Sequence, residues 1–214
     1  MKHRNLYSDG QTQCTAEEGT NQQQPAPQCS DLHLTEAVRP NGRHTRLVEG
    51  YRQNMYRGKL GHIPVITASV TREKLFDFFM ECTDLLGTEV DVILETSHPP
   101  NTYDHHRDLH RGNIDLPVLQ SALYEHERLF MDDGCAGIAV MNPQSAQEVQ
   151  FDEHKLIIVF AHKLAQYQEL LQRYCIAYRE RIRFITETGH MHISHEQYQR
   201  EFDTLAQQLG CEEI

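Results

Sequence analysis

The hexapeptide Ile93-Leu94-Glu95-Thr96-Ser97-His98 recurs, in altered form, as Ile185-Thr186-Glu187-Thr188-Gly189-His190. Each copy follows a short apolar run, and each ends in Glu-Thr-small-His. From Glu95 to Glu187 the offset is 92 residues, and it holds upstream without a gap. Val65-Ile66 then faces Ile157-Ile158, Leu75 faces Tyr167, Phe78-Phe79 faces Leu170-Leu171, and Val90 and Val92 face Ile182 and Phe184. Both windows place a helical stripe between two strand-like runs. The chain therefore reads as an internal duplication of a β-α-β unit, 65–98 and 157–190.

Outward from these windows, Ile63 to Val70 reads as a strand, and Thr71 is placed to cap a helix that stops at Gly87. Glu89 to Glu95 alternates as a second strand. Ser97 to Asn113 is a long polar loop. Asp115 opens a second helix with Pro117 in its first turn. Ala136 to Met141, Glu148 to Phe151 and Leu156 to Ala161 are strands. A helix over 164–175 and a strand over Arg181–Glu187 complete the second copy. Ser194-His195-Glu196-Gln197 has the form of a capping box ahead of a last helix ending at Gly210. The fold expected is an α/β, two-layer sandwich: a mixed sheet of about six strands with helices packed on it, parallel across each β-α-β crossover.

Before this single domain, 61–214, residues 1–44 are rich in Gln, Ser, Thr, Pro and Gly and read as a disordered tail. Residues 45–60 form a basic linker or short helix, with Leu47, Tyr51, Met55 and Tyr56 at helical spacing. Between Arg39 and Leu60, six basic residues against Glu49 give +5, so the remainder carries −16 of the net −11. An acidic protein is a poor match for nucleic acid or an anionic membrane. No apolar run reaches the roughly 18 residues of a membrane span. Met1-Lys2-His3-Arg4 leads into polar sequence unlike a secretory signal. The six Cys show no CxxC pairing, which fits free thiols and a cytoplasmic setting.

The chain is histidine-rich, with 14 in 214 residues. Glu95, His98, Glu187 and His190 are the candidate catalytic residues, because a carboxylate can orient an imidazole and raise its basicity. The same residues would serve equally well as turn caps. Candidate metal ligands are His105, His106 and His110, in Asp104-His105-His106-Arg107-Asp108-Leu109-His110, together with His190 and His192. Two His at i and i+2 on a strand share a face, and zinc or manganese suits such donors. The stretch 189–195 also resembles the alternating His signature of histidine-triad nucleotide hydrolases, with Ser194 where the third His belongs. That resemblance implies His192 as nucleophile. Asp104-His105-His106 repeats the triplet that names the DHH phosphoesterases over three residues only, and is carried no further. His126 reads as a hydrogen-bonded core residue.

Two functional classes fit. The first is a regulatory or structural module that binds a small ligand or protein partner and self-associates as a homo-oligomer. The second is a hydrolase or lyase-type enzyme with a His/carboxylate cleft and a divalent metal.

Overall fold

The computed structural model describes residues 32–41, 46–58, 61–98 and 106–214. Its centre is one eight-stranded sheet. In chain order the elements are β1 (Val38–Pro40), β2 (Gly50–Gly58), β3 (Gly61–Ser69), α1 (Arg72–Thr83), β4 (Glu89–Thr96), β5 (Arg107–Asp115), α2 (Leu116–Glu125), α3 (Glu127–Asp132), β6 (Ala136–Asn142), β7 (Gln147–Phe151), β8 (Leu156–Phe160), α4 (Ala165–Arg173), β9 (His190–His192), α5 (Glu196–Leu209) and β10 (Glu212–Glu213). The large sheet runs β10-β5-β4-β6-β7-β8-β3-β2, and β1 pairs with β9 in a separate two-stranded sheet.

Every strand pair is antiparallel, which corrects the expected mixed sheet of about six strands. Helical crossovers are present, but they do not end beside the strand they leave. The α1 crossover carries the chain from β3 past three strands to β4, and α2 and α3 carry it from β5 across β4 to β6. Alternating burial reports which face a residue occupies and not which way its neighbour runs.

Strand alternation divides the core. Ile66, Ala68, Val90, Val92, Leu94, Ile138, Val140, Val149, Phe151, Ile157 and Val159 point to the helical face and share one apolar cluster with all five helices. On α1 the stripe Leu75, Phe78, Phe79 and Cys82 is at most 2 % exposed; each such large side chain contributes roughly 1.5–3 kcal/mol of burial. Gly87 sits at φ 107°, where the chain turns into β4. On the opposite face Leu156 packs with Ile182 and Phe184.

Four further expectations change. Residues 50–58 form an edge strand in place of a short basic helix, because they pair along their whole length with β3. The loop expected over 97–113 contains most of β5, whose polar residues hide a strand with only Leu109 and Ile114 buried. No strand forms over 181–187. There Ile182, Phe184 and Ile185 anchor an irregular segment ending in a 3-10 turn, Ile185–Glu187. At the 92-residue offset β3 and α1 fall opposite β8 and α4, but β4 falls opposite no strand, so a second β-α-β unit is not formed. Of the expected tail, residues 32–41 are structured: Ala37 and Val38 are buried, and Val38–Pro40 pairs with His190–His192. Residues 1–31 and 42–45 lie outside the described residues.

Candidate metal centre

The hairpin joining β7 to β8 reads Asp152-Glu153-His154-Lys155. Asp152 N–H donates to Leu156 O, Lys155 N–H donates to Asp152 O, and the Asp152 carboxylate accepts Leu156 N–H at 2.7 Å. Lys155 has φ 65°. A left-handed residue at this place in a bulged hairpin is normally Gly. Keeping Lys there costs on the order of 1 kcal/mol. Its side chain is 5 % exposed and donates to Ala136 O at 3.0 Å. Burial pushes the Lys155 ammonium down to about 8, against the opposing pull of Asp133, Asp152 and Glu153.

This hairpin presents His154 to β9. The ring centroids of His154, His190 and His192 are 4.6, 4.9 and 5.1 Å apart, and one ring nitrogen from each lies within 4.8 Å of the others. The Nδ1 atoms are all engaged. His190 Nδ1 faces Thr188 O at 2.8 Å, His192 Nδ1 faces Gly134 O at 2.5 Å, and His154 Nδ1 faces Asp152 Oδ2 at 3.2 Å. A carbonyl or carboxylate oxygen only accepts, so each Nδ1 carries a proton, and in the neutral ring each Nε2 keeps a free lone pair. Oxygen partners on the far nitrogen are the outer shell of histidine metal sites.

Electrostatics act on the cluster in two directions. Burial and the neighbouring His154 and His190 hold the His192 pKa below its ordinary value, against the pull of Gly134 O and Glu153. Burial also opposes charge on His154, but Asp152 and Glu153 outweigh it and raise the pKa. A divalent ion about 2.0–2.1 Å from three imidazoles requires nitrogens about 3.4 Å apart, a spacing inside the 4.8 Å limit that the three rings meet. The residue types suit zinc and related first-row metals.

Behind this cluster lies a second group: His98, Asp133 and Cys135, all buried, with ligand atoms also within 4.8 Å of one another. His98 Nδ1 is 2.7 Å from Thr96 Oγ1, and its Nε2 is 3.0 Å from Ser194 Oγ and 3.1 Å from Asp133 Oδ2. Asp133 is 0 % exposed, and neither of its oxygens accepts a hydrogen bond among the described residues; its nearest ionisable neighbour is His98 Nε2. The carboxylate approaches the nitrogen that faces Ser194. It therefore cannot hold the far nitrogen, as a Ser-His-Asp relay requires. Burial raises the Cys135 thiol pKa; hydrogen bonds with Ser97 and Ser194 oppose this. Gly134 is obligatory between these groups, since a Cβ there would overlap Ala37 O and crowd Ile193.

Of the sequence candidates, His190 and His192 come together, and His154 is the partner that sequence reading missed. The available signal was Lys at the glycine position of an acidic turn. His98 belongs to the buried group, and Ser194 faces it instead of capping α5, whose N-terminus has no side-chain cap. Thr71 and Asp115 likewise do not cap their helices with side chains. Glu95 lies near Glu153 and Asp152. Glu187 points elsewhere, to Arg52 at 3.0 Å and back to Phe184 N–H at 3.0 Å. His106 faces Asp108 at 3.5 Å, and His110 sits on β5 opposite Ile93; neither belongs to a metal-holding group among the described residues. His105 lies outside the described residues. His126 is buried between Glu201 and Gln208, as a hydrogen-bonded core residue should be.

No helix among the described residues is long and apolar enough to cross a membrane. The chain matches no family model, no curated protein and no solved structure.

Proposed function

We propose that this is a divalent-metal-binding protein whose centre is His154, His190 and His192, with zinc as the ion of choice. The observation that carries the reading is the engagement of all three Nδ1 atoms by oxygen, which leaves three Nε2 lone pairs on neighbouring rings. His154 lies in the turn that joins β7 to β8 of the large sheet, while His190 and His192 belong to β9, which holds β1. A bound ion therefore ties the small sheet to the large one, and the role is that of a metal-responsive binding module.

A hydrolase or lyase-type activity is the second reading. Three protein ligands leave a coordination position open, the arrangement of catalytic zinc. Glu95, whose carboxyl is raised to about 8 mainly by burial, lies near Glu153 and Asp152 of the hairpin that carries His154. A carboxyl that keeps its proton near neutrality is suited to general-acid work. The chain's four described free thiols support a reducing, cytoplasmic setting. The β3–α1 and β8–α4 pairs support descent from a duplicated unit.

The test is zinc titration of metal-free protein by calorimetry, with His154→Ala and His190→Ala. Each variant should weaken zinc binding at this centre by at least about 10–100-fold, the loss typical of even outer-shell changes. Unchanged affinity in either variant would refute the centre.

A further inference from the structure

We infer that Cys135 Sγ, His98 Nε2 and an Asp133 oxygen form a second, closed site for a thiophilic divalent cation of the zinc class. The inference is independent of the three-histidine centre. It starts from a defect in the metal-free arrangement. Asp133 is fully buried, yet neither of its oxygens accepts a hydrogen bond among the described residues. Proteins rarely leave a buried carboxylate without donors.

His98 makes the defect specific. When Nδ1–H donates to Thr96 Oγ1 at 2.7 Å, Nε2 presents its lone pair to the Ser194 hydroxyl at 3.0 Å. Asp133 Oδ2 then lies 3.1 Å from the same nitrogen. In that tautomer two electron-rich atoms stand side by side, and either a proton on Nε2 or a bound cation must lie between them. A cation bound by both turns that repulsion into coordination. Cys135 adds the third donor within 4.8 Å. Cys, His and carboxylate together are a zinc-type ligand set, and Thr96 is the outer-shell partner that keeps His98 in the ligating tautomer.

The fourth position falls to Ser194 Oγ, already beside Nε2. On uptake the Cys135 thiol releases its proton to solvent, so the dication meets two anions and the coordination sphere is neutral. The Lys155 ammonium is held on Ala136 O; Asp133 is the first of the acidic groups acting on it, ahead of Asp152 and Glu153, so metal uptake at Asp133 shifts that compensation toward the hairpin carboxylates. Complete burial of all three ligands makes this a structural site, unlike the more exposed histidine cluster.

The experiment uses full-length protein, stripped of metal and reloaded with zinc. Wild type should hold two zinc ions per chain. The double variant His190→Ala/His192→Ala should hold one, and its X-ray absorption should show one sulfur neighbour at about 2.3 Å. Adding Cys135→Ser should remove that sulfur. Asp133→Asn, which keeps the side-chain shape, should weaken the remaining site at least about 10–100-fold; it provides the test if the Cys variant fails to fold.

A zinc shell of nitrogen and oxygen only in wild type leaves the histidine centre standing and overturns the buried site. A sulfur-containing site that survives loss of both histidines, with no second ion in wild type, does the reverse. A sulfur neighbour that persists in Cys135→Ser belongs to another thiol and overturns the assignment, as does a failure to bind zinc at all.

Discussion

Replacing Glu95 by Gln should stabilise the protein, and only above mildly acidic pH. Glu95 sits on β4 with its carboxyl largely out of water. Burial first, and then Glu153, Asp108, Glu148 and Asp152, move its pKa from the ordinary 4.5 to about 8. Below pH 4.5 the group is protonated whether the chain is folded or not, and it costs nothing. Between 4.5 and 8 the unfolded chain ionises while the folded one does not, so stability falls as pH rises. Above 8 the loss is complete. At about 1.4 kcal/mol per pKa step, the ceiling is about 5 kcal/mol; relaxation and water entry around a group that is not fully enclosed reduce this to about 2–3 kcal/mol. Glutamine keeps the shape and removes the charge. Urea unfolding of both proteins at pH 5 and pH 9 should show the variant's advantage growing by that amount. A difference that stays constant with pH, or a variant less stable at pH 9, would refute the assignment of a proton-bearing carboxyl at Glu95.

Other perturbations have definite expected outcomes. Phe79→Ala and Leu171→Ala empty fully buried positions on α1 and α4 and should each lose about 2–5 kcal/mol in denaturant unfolding. Starting the chain at residue 46 removes β1 with the buried Ala37 and Val38, and should lower stability by about 1–3 kcal/mol, visible as a reduced thermal midpoint. Zinc in hundredfold excess over its dissociation constant should add about 2.7 kcal/mol to wild type and raise its thermal midpoint, with a smaller rise in His154→Ala. Lys155→Met and Asp133→Asn should show a coupling of about 0.5–3 kcal/mol in a double-mutant cycle, since the buried ammonium and carboxylate compensate each other's charge.

Residues 61–98 and 136–173 were legible in outline because burial imposes a period. Ile66, Ala68, Leu75, Phe78, Phe79, Val90, Val92 and Leu94 each lie on the face their spacing assigns. Elements whose partners are polar or distant were not legible. Tyr51 and Met55 are four apart, as on a helix, but they belong to an edge strand with one neighbour. Ile182 and Phe184 alternate like a strand, yet they fill a gap beside Leu156 without joining a ladder. For the site, spacing brought His190 and His192 together on β9. It could not reach His154, which arrives through the β7–β8 hairpin, nor Asp133 and Cys135, which arrive behind α3. Ser194 read as a helix cap because a capping box is a local pattern, whereas its hydrogen bond to His98 spans the fold.

The outer margin of β2 has a consequence for how copies of this protein meet. Beyond Tyr51, whose N–H and C=O are taken by Ala177 and Arg179, β2 has no neighbouring strand on its outer side among the described residues. An open margin of this kind is a template for fibrillar stacking. Two copies that zip together antiparallel, with Asn54 opposite Met55, set Arg52 of each against Arg57 of the other. Both contacts are between like charges, which disfavours that register. The arginines oppose self-recruitment at this margin, Arg57 more than Arg52, whose charge is met by Glu187.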